Sequence, residues 1–344
     1  MIADEQLPEE PSPGGDGGRA SASWVRRALE LAAVLKAHRR LMLGLQVGAI
    51  VVVAVLCALA VHSEWSKAEP RLADANPAYL ALAVAGVATY YLVFILGWIR
   101  MLAVWDIRIG YRLALQAEMV SMLAKYVPGG VWTPAARAVA LRRGAGVTDT
   151  PTVLASILVE AALSAISGVI VFVISLAWVR GVHTPLPLLI AFALLLAALL
   201  HPPVFKRISN RLLKPFGAHD LEPLPFRTTV ALLLFYCGTW VLGGLALYLL
   251  LRSLGADPGW STLPFLGGTS AIGAIVAVLV VFVPSGLGVR EASMYGLLLA
   301  VTNSGVALDA TILNRLVITV VELALFGAGV LGWRGRRGRE VLQS

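Results

Sequence analysis

Residues 264–302 read PFLGGTSAIGAIVAVLVVFVPSGLGVREASMYGLLLAVT. The run is apolar enough to enter a bilayer but is broken in its middle by Pro284-Ser285-Gly286. Backbone groups freed by such a break cannot face lipid; they must be buried in protein or line a watery cavity. The stretch therefore predicts a re-entrant hairpin, with two ordinary short helices joined at Pro284 as the alternative. Residues 112–143 repeat the pattern around Pro128-Gly129-Gly130.

The rest of the chain extends this reading. Of 344 residues, 58% are hydrophobic and 14% charged, and the mean hydropathy is +0.80. Soluble domains are less apolar and far more charged, so a water-soluble enzyme is excluded. A membrane-crossing helix needs about 20 apolar residues, and runs of that order fall at roughly 41–61, 79–99, 152–178, 185–201, 229–252 and 312–333. The expected fold is an all-α integral membrane protein of six full spans plus two Pro-Gly-broken re-entrant hairpins, or eight spans. Residues 1–23, rich in Pro, Gly and acids, predict a disordered tail. Residues 24–40 predict a basic juxtamembrane helix, 41–333 the membrane domain, and 334–344 a basic tail.

The net charge of +8 is mostly topology. Of 28 Lys and Arg, 22 lie in 1–40, 100–150, 202–227 and 334–344, all on one side of the predicted spans. The positive-inside rule puts that side, and both termini, in the cytoplasm, and a bacterial inner membrane is the expected location. Trp65, Trp178 and Trp260 fall at outer span ends and Trp98, Trp105 and Trp333 at inner ones, the expected interfacial belts. Basic residues spread over four loops argue against a nucleic-acid partner. Cys57 and Cys237 sit inside apolar runs without the spacing of a disulfide framework or metal knuckle.

The two broken stretches share an order of features. Pro128-Gly129-Gly130 is followed by Arg137 and, in the next span, Glu160; Pro284-Ser285-Gly286 is followed by Arg290 and then Glu322. The units, about 79–178 and 229–333, run in opposite directions through the membrane, which predicts a weak inverted repeat of the kind found in transporters. An ionisable group at bilayer depth costs at least about 2.5–3.5 kcal/mol, so Glu160, Arg290, Arg315 and Glu322 call for a role. One reading has the acids pair with the arginines and staple the hairpins to the bundle. The other makes Arg137 and Arg290, each beside backbone N–H groups freed by a Pro-Gly break, an anion site for a phosphate. Lys125 adds a point charge at its mouth. Glu118 and Glu291 are either local ion-pair partners or water-facing.

Lys125-Tyr126-Val127-Pro128-Gly129-Gly130 with Arg137, Ser156 and Glu160, and above all Pro284-Ser285-Gly286-Leu287-Gly288-Val289-Arg290-Glu291-Ala292, resemble the flippase-like transmembrane region of bacterial lysylphosphatidylglycerol synthases. The resemblance covers about residues 40–335. Trp132-Thr133-Pro134, and Ser285 in place of a glycine, depart from the family's pattern. With the chain ending at Ser344, the expectation is a stand-alone member without the aminoacyl-transferring domain, handling lipid without aminoacylating it.

The resulting expectation is a translocase for an anionic or aminoacylated phospholipid or a polyprenyl-phosphate-linked lipid. Its substrate-binding residues are Lys125, Pro128, Gly129, Gly130, Arg137, Glu160, Pro284, Gly286, Gly288, Arg290, Glu291 and Glu322. No cofactor or metal is expected, and no phosphate-binding loop for ATP hydrolysis is present in the sequence. Two alternatives stand beside it: a membrane-embedded transferase using a lipid-linked donor, with Glu64, Glu69 and Asp74 as outer acids, and a non-catalytic partner of envelope-synthesis enzymes.

Overall fold

Proline and asparagine set the first boundary. Asn76 caps α1 (Pro77–Val104) by accepting hydrogen bonds from the backbone N–H groups of Ala78 and Tyr79, with proline in the first helical turn, where its missing donor costs nothing. This is a computed structural model, and it describes residues 70–124, 132–182, 185–213, 221–280, 286 and 288–341. The chain divides into units 1–54 and 55–344, and every described residue belongs to the second. The expected span at 41–61, the tails at 1–23 and 24–40, and Lys125, Pro128, Gly129, Gly130 and Pro284 lie outside the described residues.

The described chain is helical, with no strand among the described residues. After α1 come α2 (Tyr111–Ala124), α3 (Trp132–Ala145) and α4 (Thr150–Ser175). Then follow α5 (Leu186–Leu200), α6 (Pro202–Leu213), α7 (Phe226–Ser253), α8 (Leu263–Leu279), α9 (Val289–Leu298) and α10 (Ser304–Val341). Among the described residues, five helical stretches are long and apolar enough to cross a membrane: Pro77–Val104, Thr150–Ser175, Phe226–Ser253, Trp260–Leu279 and Ser304–Ala328. The stretch at 112–143 is two 14-residue helices, each too short to span. In 264–302 the first leg is of spanning length and only the second, α9, is short.

One expectation changes. The run at 185–201 is a 15-residue helix that meets α6 at a 75° bend and reaches span length only with it. The cause is His201, extended at φ −61°, ψ 131° as the residue before a proline must be. At the other end of the chain, α10 continues as helix to Val341.

α4 is the central post. Asp149 caps it through the Thr152 N–H at 3.1 Å, and it packs against α1, α3, α5, α7 and α8. Close approach there is set by glycine. A Cβ on Gly267 of α8 would stand 2.4 Å from the Trp240 carbonyl oxygen of α7. Small residues are what allow helices to meet tightly in lipid, where apolar burial gives no driving force. Outward faces remain apolar: Leu188, Leu194, Leu234 and Val278 are all more than 60% exposed, a surface suited to acyl chains.

A candidate functional site in the charged interior

Arg137 is carried by α3 and faces α2 and α4. It forms ion pairs with Glu118 of α2 and with Glu160 of α4, where its Nη1 donates to Glu160 Oε2 at 2.5 Å. Its guanidinium lies 4.4 Å from the centroid of the Trp98 ring of α1, a cation–π contact. The Trp98 indole N–H in turn donates to Ser156 Oγ at 2.9 Å, and the Tyr236 hydroxyl of α7 donates to Glu160 Oε1 at 3.2 Å. Glu118, Arg137 and Glu160 are 1%, 3% and 3% exposed, so this is a dry cluster. Both Glu160 oxygens are engaged, whereas Glu118 meets Arg137 only as an ion pair through Oε2, and among the described residues neither Glu118 oxygen nor Arg137 Nε has a hydrogen-bond partner.

The second cluster is built differently. Gly286 and Gly288 take φ +64° and +82°, the left-handed region that glycine tolerates, and turn the chain into α9. Glu291 then binds its own helix start, accepting from the Gly288 N–H at 2.6 Å, and accepts from Arg315 Nη1 of α10 at 2.6 Å. Glu322 of α10, 1% exposed, accepts from the Tyr91 hydroxyl of α1 at 2.5 Å. Arg290 sits in the first turn of α9, half-buried, its stem passing Gly273 of α8. Its charge acts on Tyr90 and Tyr91. Among the described residues no carboxylate pairs with Arg290 and none of its nitrogens makes a hydrogen bond.

The sequence-predicted residues thus separate into two groups. Arg137 and Glu160 come together, with Glu118 between α2 and α3 as a second acid. Gly286, Gly288, Arg290 and Glu291 come together at the start of α9, and Glu322 joins them through Tyr91. Glu118 and Glu291 both prove to be ion-pair partners. Among the described residues Glu322 makes no ion pair with Arg290, and it accepts a hydrogen bond from Tyr91. Asp74 is exposed on the segment before α1, and Glu64 and Glu69 lie outside the described residues.

Trp98 corrects an expectation. Placed by sequence in an interfacial belt, it is fully buried, because the guanidinium above it and the serine beside it satisfy both its face and its N–H. Trp178 and Trp260 are more than half exposed, as belt residues are. The tyrosines were missed altogether. Tyr91, Tyr90, Phe94 and Tyr236 form a chain of ring contacts, with centroids 5.5, 5.6 and 5.1 Å apart, running from the Glu322 partner to the Glu160 partner. The available signal was their position in mid-span rather than at span ends, where tyrosine prefers to sit.

Long apolar helices enclosing buried ion pairs define a multi-pass helical membrane protein with a charged interior. Residues 46–325 match the family model described as the lysylphosphatidylglycerol synthase TM region, and the chain belongs to that family. A search of curated proteins finds no match. Membership ties the chain to a function involving membrane lipid.

Proposed function

We propose that the protein is a lipid translocase that takes an anionic headgroup at Arg290 while the acyl chains stay in the surrounding lipid. The observation that carries this is the unpaired state of Arg290: a half-buried cation in the first turn of a helix, with no carboxylate partner among the described residues. A guanidinium left unpaired in a low-dielectric interior is costly, and a phosphate bound by its fork of donors at the positive end of α9 removes that cost. Tyr90, Tyr91 and Glu322 border the position. Arg137 is neutralised by two acids and takes no part in headgroup binding; it holds α2, α3 and α4 together.

In this reading α1–α4 and α7–α10 are inverted repeats. Support comes from the exchange of partners between them: Tyr91 of the first helix of one unit bonds Glu322 of the last helix of the other, and Tyr236 bonds Glu160 in the reciprocal sense. Both termini then lie in the cytoplasm of a bacterial inner membrane, and a lipid-modifying enzyme would supply the substrate. Gly286 and Gly288 shape the turn below the headgroup.

Reconstitution tests the proposal. In proteoliposomes carrying a fluorescent phosphatidylglycerol, its lysyl ester or a polyprenyl phosphate, the protein is expected to make inner-leaflet probe accessible to an impermeant quencher. Loss of that acceleration in Arg290→Ala, with Arg290→Lys retaining part of it, supports the site. No acceleration with any of the three lipids overturns the translocase reading.

A further inference from the structure

The Glu118–Arg137–Glu160 cluster does not balance. Two carboxylates and one guanidinium leave one negative charge among groups that are 1%, 3% and 3% exposed. Two carboxylates sharing one cation in a dry site disfavour the doubly ionised state, and a proton on one of them relieves the excess charge. The atoms decide which one. Glu160 uses Oε2 to accept from Arg137 and Oε1 to accept from Tyr236, so both oxygens are stabilised as a carboxylate. Glu118 touches Arg137 through Oε2 as an ion pair, neither of its oxygens has a hydrogen-bond partner among the described residues, and Oε1 is buried with no ion pair either, an arrangement that penalises the ionised form.

We propose that the cluster is a proton-binding site, with the proton on Glu118 Oε1. Binding forms one O–H bond on that oxygen and brings the cluster to neutrality; release returns the proton to water and leaves a buried negative charge. A bare metal cation fits less well, because the guanidinium already occupies the space between the two acids and the remaining free ligand is a single oxygen.

Among the described residues, the groups facing the cluster do not supply the missing positive charge. From α1 come the Trp98 ring and Tyr90, which feels the Glu160 charge; from α7 comes Tyr236; from α4 comes Ser156, bonded to Trp98. α5 and α8, which pack on α4, carry no titratable side chain. α10 packs on α2, and its Arg315 is engaged with Glu291 and its Glu322 with Tyr91.

The site itself is tested on purified full-length protein by difference infrared spectroscopy during a pH titration. Wild type is expected to show a protonated carboxylic-acid carbonyl band at neutral pH, shifted in heavy water, fading at alkaline pH and absent in Glu118→Gln. A band missing from wild type overturns the proposal, and this holds even if the variant fails to fold. A band that persists in Glu118→Gln and disappears in Glu160→Gln also overturns the assignment, as does sodium, rather than protons, raising the thermal stability of wild type. A second arm rests on the translocase reading: an imposed pH gradient is expected to speed lipid movement severalfold in wild type and not in Glu118→Gln. Absence of lipid movement in both proteins, with the infrared band present, counts against the translocase and leaves the proton site standing.

Discussion

Replacing Arg137 with alanine strands Glu118 and Glu160, which have no other cation partner among the described residues. Breaking a buried pair from one side costs about 3–5 kcal/mol, so Arg137→Ala is expected to lower the thermal unfolding midpoint in detergent sharply. Adding Glu160→Gln to that variant should return part of the loss, since a neutral amide no longer needs the guanidinium. Arg290→Ala removes no ion pair among the described residues and is expected to unfold close to wild type. The charged residues themselves were legible in the sequence, because so few charges enter the apolar runs. Their partners were not. Trp98, Tyr91 and Tyr236 look like ordinary members of apolar spans until the fold aims an indole face at Arg137 and two hydroxyls at Glu322 and Glu160.

Helix contacts carry a second set of consequences. Gly267 meets α7 backbone to backbone, and the atom its Cβ would strike is a carbonyl oxygen that cannot turn aside. Gly267→Ala is therefore expected to cost about 1–3 kcal/mol, read as a drop in the same unfolding midpoint. Gly296 of α9 faces open space, and its alanine variant should show no such loss. Gly286 combines a left-handed φ with an approach of 2.3 Å between a Cβ placed there and the Ala277 Cβ, so its alanine variant belongs with Gly267. Breaks in the apolar runs were readable at this scale, since proline and glycine act on local backbone. The outcome at each break was not: whether 264–279 reaches spanning length depends on its packing against α4 and α7, and the bend at His201 turns a span-like run into two shorter helices.

Over the molecule as a whole, the distribution of Lys and Arg predicts an orientation that can be checked directly. In a background lacking Cys57 and Cys237, a cysteine at Ser261, exposed between α7 and α8, is expected to react with an impermeant maleimide added to the outside of spheroplasts. A cysteine at Glu222, whose side chain is 73% exposed before α7, should react only after permeabilisation. The opposite pattern inverts the topology. Two arginines of similar sequence setting differ in their surroundings: Arg137 closes an internal charge cluster, and Arg290, unpaired among the described residues, is the proposed anion site. The most direct measurement is phosphatidylglycerol translocation by reconstituted Arg290→Ala, with its unfolding midpoint taken on the same preparation. An unchanged midpoint with translocation reduced to the protein-free rate is the predicted result; an unchanged midpoint with translocation at the wild-type rate contradicts the account.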